Sequence, residues 1–257
     1  MRSRPALTAI IIVALLVVGG GAAAWAVFLR GDNVAPLSLP SRAPSASSGT
    51  AAASGATSAS GATASLPPAS SAALDAASIP GTWAIGADSV VGYRVRERLA
   101  SLSADSDAVG RTSSITGTAT IASSGGTMSV TAAEFTVDMT ALASDKQMRD
   151  NRLRNDGIQT NSFPTSTFKL TSPISLPANV ATGAQVDVSL HGDLSLHGVT
   201  KTVDIPAKAQ LNGSLIQVLG SLAFPFSDFS IHAPNIGGFV AVEDHGTLEF
   251  LVNLTKA

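Results

Sequence analysis

Residues 186–205 read VDVSLHGDLSLHGVTKTVDI, and their alternation decides the fold. From Val186 to Leu196 every even position is apolar or glycine (Val186, Val188, Leu190, Gly192, Leu194, Leu196), and every odd one is polar (Asp187, Ser189, His191, Asp193, Ser195). A period of two over these eleven residues is a β-strand with one buried face and one wet face. At about twice the usual strand length, it predicts a barrel or a large sandwich. Leu196-His197-Gly198-Val199 reads as a hairpin turn in which His-Gly takes the positive-φ pair. Val203, Ile205, Ala207, Ala209 and Leu211 carry the pattern into the return strand.

The same period recurs on both sides of this hairpin. Val91, Tyr93 and Val95 alternate with Gly92, Arg94 and Arg96, and Ile115, Gly117, Ala119 and Ile121 alternate with Ser and Thr. Phe135, Val137 and Met139 share one face, while Met128, Val130 and Ala132 before them have the opposite parity, which predicts a bulge near Ala132-Ala133. Phe168 and Leu170, then Ile216 to Phe226 on even positions, then Leu248, Phe250, Val252 and Leu254 complete about eight antiparallel strands. One helix interrupts them in SDKQMRDNRLRNDG, residues 144–157. There Ser144 can cap, Gln147 can complete a capping box and Gly157 suits the stop. Only Met148 and Leu153 can anchor this helix, so it is expected across one end or flank of the sheet.

The polar face carries Asp187, Asp193, Asp204, Lys169, Lys201 and Lys208, too many charges for contact with lipid, so the apolar face points inward. Gly117, Gly192 and Gly220 also point inward and leave space. A closed eight-stranded barrel has room for one small ligand. Val91, Tyr93, Val95, Phe135, Val137, Phe168, Leu190, Leu194, Phe224, Phe226 and Phe250 are the side chains expected to line an apolar cavity. The fold class is therefore all-β: a single eight-stranded antiparallel barrel with one short helix.

Of the 257 residues only part belongs to that barrel. The run from Leu7 to Leu29 is uncharged and long enough to cross a hydrocarbon core of ~30 Å. Arg2 and Arg4 before it favour a cytoplasmic N-terminus. Ala24-Trp25-Ala26 offers a small-x-small cleavage site, but the apolar run continues through Val27, Phe28 and Leu29. Residues 1–34 are thus expected to be a membrane anchor, or a signal sequence that would release a secreted domain. Residues 35–78 are rich in Ala, Ser, Gly, Thr and Pro and read as a flexible tether. The folded domain is 79–257. A net charge of −2 with scattered Lys and Arg disfavours nucleic acid, and the absence of Cys excludes disulfides, thiol nucleophiles and Cys-ligated metals.

The segments SVVGYRVRERL, FTVDMTALASDKQMRDNRLRNDGIQTNSFPTSTFKLTSPI, VDVSLHGDLSLHGVTKTVDIPAKAQL, FPFSDFSI and EDHGTLEFLVNL occur in an order that resembles the YceI-like family of bacterial lipocalin-like barrels. The most specific matches are Met148, Arg149, Asp150, Leu153 and Arg154 in the helix, Phe163, Pro164 and Phe168 after it, and Gly192 to Lys201. The resemblance implies an exported protein that holds a long isoprenoid, such as a polyprenyl lipid or an isoprenoid quinone, along the barrel axis. Arg149, Asp150 and Arg154 are the candidates for a rim or head-group contact.

No nucleophile elbow, phosphate loop or dinucleotide fingerprint is present, so neither catalysis nor a cofactor is expected. His191 beside Asp187 and Asp193 reads as a solvated strand histidine rather than a metal site. His232, Asp244 and His245 flank a Gly/Pro-containing loop that suits one barrel end. Two functions are consistent with this sequence: a lipid-binding barrel that stores, shields or transfers an isoprenoid outside the cytoplasmic membrane, or a ligand-free envelope-interaction or adhesion module.

Overall fold

The structure, a computed structural model, describes residues 34–40, 76–99, 105–233, 235–236 and 240–257. The apolar run at residues 7–29 and most of the 35–78 stretch lie outside the described residues. Among the described residues no helix is long and apolar enough to cross a membrane.

The strands in chain order are β1 (Gly81–Ile85), β2 (Val90–Leu99), β3 (Asp105–Thr112), β4 (Ile115–Ser124), β5 (Thr127–Asp138), β6 (Ala143–Ser144), β7 (Thr165–Leu170), β8 (Ile174–Leu176), β9 (Val186–Leu196), β10 (Val199–Asn212), β11 (Leu215–Pro225), β12 (Asn235–Ile236), β13 (Val240–Val242) and β14 (His245–Lys256). One α-helix, α1, spans Gln147–Asn155. β1 and β2 run end to end along β14, and β3 and β4 run end to end beside them. With β5, β7, β9, β10 and β11 these make an eight-stranded antiparallel barrel. Pairing of β14 with β11 on one side and with β1 and β2 on the other closes the ring. Consecutive strands are neighbours throughout, an up-and-down barrel that leaves no edge in the ring.

The insertions divide between the two ends. Met139–Leu142, α1, the His197-Gly198 turn and the short helix Phe226–Phe229 gather at the end we call the helix end. Ile79, Trp83, β8 and the turns at Gly125-Gly126 and Gly213-Ser214 lie at the opposite, Trp83 end. His197 and Gly198 take φ of 52° and 74°, the mirror-image turn that matches strand twist.

Three local expectations shift. The bulge falls one residue earlier, at Thr131, which is left over between the Thr120↔Ala132 and Ile121↔Val130 pairs. The helix has Lys146 at its N-cap with no side-chain cap bond. Ser144 instead donates its backbone N–H and its hydroxyl to Asp150 Oδ1, at 2.9 and 2.7 Å, so no Ser144–Gln147 capping box forms. Met148 does not anchor the helix: it is 77% exposed, and Leu153 and Ile158 make the apolar contact. β3 lies in a polar stretch without alternation. Its ladder with β2 buries Ala108 and Val109, and Arg96–Asp107 at 2.9 Å and Arg98–Asp105 at 2.8 Å bridge directly facing positions at the surface.

Val34–Pro40, the last residue of the expected anchor segment and the first six of the stretch read as a tether, lies on the outer wall. Arg94 Nη2 donates to Val34 O at 2.9 Å, Arg111 Nη2 to Ala35 O at 2.7 Å, and Gln210 Nε2 to Pro40 O at 3.5 Å. Leu37 and Leu39 are half-buried while Pro36, Ser38 and Pro40 are exposed.

Candidate functional site

The interior is one apolar lumen of about 190 Å³ that reaches from Ile79, Leu211 and Leu254 at the Trp83 end to Leu142, Ile158 and Leu196 at the helix end. A single water needs ~10–15 Å³ on the same footing, so this is no packing defect. Of its lining residues only Tyr93, Ser166, Thr167 and Gln210 are polar, and Gln210 turns its amide to the outer wall. Ser166 is already committed, since its hydroxyl donates to Ser195 O at 2.8 Å.

Glycine and aromatic residues shape this space together. A Cβ at Gly192 would fall 2.6 Å from Phe168 Cζ, one at Gly117 would fall 2.6 Å from Phe135 Cδ1, and one at Gly220 would come closer still to Phe250. Each glycine therefore does not leave a void, as the sequence suggests, but takes a ring from an adjacent strand. The ring lies against the wall instead of projecting toward the axis, and the axis stays open. Tyr93 over Gly110 and Phe226 over Gly246 repeat the arrangement.

Nine of the eleven side chains expected inside line the lumen: Val91, Tyr93, Phe135, Val137, Phe168, Leu190, Leu194, Phe224 and Phe250. Val95 and Phe226 do not. Val95 lies on the part of β2 that extends past its pairing with β14, and Phe226 begins the short helix after β11. Both pack into the apolar cluster of the helix end with Met139, Leu142, Phe229 and Ile231. Alternation cannot show where a strand leaves the ring. Sequence reading missed Ile79 and Trp83, which close the other end; Trp83 is fully buried and its indole Nε1 donates to Ile79 O at 2.9 Å.

The charged residues of α1 stay outside the lumen. Arg149 Nη2 donates to Glu97 Oε1 at 2.7 Å and Nη1 bonds Asp145. Burial opposes its charge, but Glu97 and Asp145 outweigh that and hold the guanidinium pKa above its ordinary value. Asp150 receives Ser144, and Arg154 donates to Asn151 at 3.1 Å. Tyr93, by contrast, reaches the lumen, and its hydroxyl is buried without a hydrogen-bond partner. Burial pushes the phenol pKa well above its usual range, with Arg149 opposing and Asp150 and Glu97 adding to the rise.

The helix end is closed by inserted segments pinned from the wall. His197 Nδ1 lies 2.9 Å from Phe229 O, Lys201 Nζ donates to Asp228 at 2.5 Å, and Phe224 meets Phe229 edge-on at 5.2 Å. The histidines singled out in the sequence lie on the surface: His191 pairs with Asp204 at 2.8 Å, and His245 lies between Glu243 and Asp244. His232 is exposed. Asp187 pairs with Lys208, and Asp193 receives Thr202. Among the described residues no three His, Asp or Glu side chains converge on a point that would hold a metal ion.

The model of the YceI-like domain matches residues 84–254, from the first barrel strand to the last. The chain belongs to the YceI-like family. Among solved structures, a polyisoprenoid-binding domain from Saccharophagus degradans implicated in plant cell wall breakdown superposes with a TM-score of 0.52 at 16% identity, covering 69% of this chain and 99% of that one. Burkholderia cenocepacia BcnA gives 0.47 at 20% identity over 66% and 98%, and a Campylobacter jejuni YCEI protein gives 0.44 at 18% over 58% and 84%. At these identities the likeness bears on the fold alone. No curated protein matches the sequence.

Proposed function

We propose that the YceI-like barrel holds a long apolar lipid of isoprenoid type along its axis and shields it outside the cytoplasmic membrane. The chain would be tethered there by residues 7–29 as a single span with the N-terminus inside, or secreted if that segment is removed. The observation that carries the reading is the continuous apolar lumen between the two barrel ends. An empty cavity of about 190 Å³ costs about 4–5 kcal/mol at ~24 cal/mol per Å³. That is a large fraction of a typical domain's net stability. A ligand-free adhesion module has no reason to carry that cost, whereas a bound apolar chain removes it. The polyisoprenoid-binding domain that shares the fold supports the same ligand class.

The nine lumen side chains are the proposed contacts with the apolar chain. Among the described residues no charged side chain lines the lumen, so a phosphate head group would remain outside it. The unpaired Tyr93 hydroxyl suits a quinone carbonyl or another lipid oxygen near the helix end. Arg149, Asp150 and Arg154 are assigned to holding the helix-end insertion, not to ligand contact.

The test is organic extraction of the purified protein followed by mass spectrometry, on the wild type and on a variant carrying Ala133→Phe and Ala209→Phe, two small lining positions. The reading expects an apolar species near one per protein in the wild type, and its loss from a filled barrel whose thermal stability is kept or raised. A wild type that yields no apolar species, with a filled variant that is less stable, would mean the lumen is an ordinary core.

A further inference from the structure

We propose that Val34–Pro40 is a strap that clamps the barrel beside the membrane anchor and turns its helix end toward the bilayer. This rests on the reading of residues 7–29 as a retained span.

The strap crosses the wall from the β2–β3 pair to β10. Arg94 and Arg111 hold its first two carbonyls and Gln210 its last, and β14 and β11 lie between them. Four strand spacings of ~4.8 Å make about 19 Å. An extended chain from Ala35 to Pro40 covers about 17 Å, so the segment must be nearly fully extended, with the arginine and glutamine side chains reaching out to it. Leu37 and Leu39, two apart, share one side of an extended chain and are half-buried against the wall.

Its chemistry is that of a built site. Glu249 on β14 is 5% exposed although it points away from the lumen. Arg111 Nη2 meets its Oε1 at 2.7 Å and Arg94 Nη2 meets its Oε2 at 3.5 Å. The same two guanidiniums donate to the strap, so one buried carboxylate orients both clamps.

The strap also descends along the barrel. Arg94 faces Thr247, near the helix-end start of β14, whereas Gln210 is joined through Gln217 to the level of Asn253, near its Trp83 end. The chain therefore arrives from the helix-end side. Arg30 precedes Val34 by four residues, which reach at most ~14 Å. A barrel of twelve-residue strands tilted ~40° stands about 30 Å tall. An anchor leaving the membrane at Arg30 cannot pass the height of the barrel, and the helix end is the end within its reach. Met148, the exposed large hydrophobic side chain among the described residues, sits on α1 at that same end.

The chain contains no Cys, so single introduced cysteines report cleanly. Donor dyes at Met148→Cys (helix end) and Ser214→Cys (Trp83 end) are placed in the full-length chain in phosphatidylcholine nanodiscs containing acceptor-labelled lipid. Stronger energy transfer from the Met148 position, with the difference lost in a Leu37→Ser/Leu39→Ser background, is the expected result. Equal transfer from the two ends in the intact strap, or no change in that background, overturns the proposal. Protein that fails to co-purify with the nanodiscs overturns the anchor reading and the orientation with it. A nitroxide at Ser38→Cys then reads the strap by itself: an immobile label keeps the docking, and a mobile one rejects it.

Discussion

Two flanks of the barrel's outer wall carry the same kind of residue in very different surroundings. On β9 and β10, Asp187–Lys208 and His191–Asp204 pair across neighbouring strands with side chains 45–83% exposed. On β10, β11 and β14, the outward polar residues Gln210, Gln217, Glu249 and Asn253 are 5–8% exposed. Gln210 Nε2 donates to Gln217 Oε1 at 3.0 Å, Gln217 Nε2 to Asn253 Oδ1 at 2.9 Å, and Asn253 Nδ2 to Ala87 O at 3.0 Å. The first flank is a solvated surface. The second is a buried polar layer, roofed in part by a segment from more than 200 residues before Glu249. Sheet sidedness does not decide whether an outward polar residue contributes to stability; whatever covers it does.

The largest test of that contrast is Glu249→Ala. It leaves two partly buried guanidiniums without their shared carboxylate, and chemical denaturation is expected to show a loss of about 2–4 kcal/mol. A loss no larger than that of a surface pair would abolish the distinction. Next comes Gln217→Ala, which leaves the buried side-chain carbonyl of Asn253 without its donor and the Gln210 amide with only its long bond to Pro40 O, for an expected loss of about 1–3 kcal/mol. On the bare flank, Asp187→Ala should change stability by less than about 0.5 kcal/mol, with little dependence on salt.

Tyr93→Phe sharpens the contrast from inside, because the hydroxyl it removes is buried and unpaired. At neutral pH its effect is expected to be near zero or slightly stabilising. The wild type should differ from it only in alkali. A phenol whose folded pKa is raised contributes its full stability below the unfolded value near 10, and that contribution falls away as pH rises from there through the folded value. Tyr93 is the single tyrosine, so phenolate absorbance should appear with unfolding and not before it.

Much of the barrel is legible in its alternation, because a period of two is imposed by the pleat itself. Val186 to Leu196 reads correctly end to end, and the His197-Gly198 turn is where the residue types place it. The features that escape are those that depend on a distant partner. β3 has no apolar period; it becomes a strand through its backbone ladder with β2 and the burial of Ala108 and Val109, which a polar stretch does not announce. Val34–Pro40 reads as linker because its small, polar and proline residues match the composition of residues 41–75, and its docking depends on Arg94, Arg111 and Gln210. Val95 and Phe226 keep the inward parity yet fall outside the lumen, since parity says which way a side chain points and not where the ring ends.

The pairing of wall glycines with wall-lying rings has a consequence for bore. In a barrel lined by ordinary core residues, strand number and shear set the inner diameter, and a wider guest requires backbone strain. Here Phe135, Phe168 and Phe250 are parked like folded shutters over Gly117, Gly192 and Gly220. The aperture at each level therefore depends on a χ1 torsion, for which staggered wells are the low-energy choices, as well as on the backbone ladder. A ring turned off its glycine would narrow the tube at that level without moving a strand.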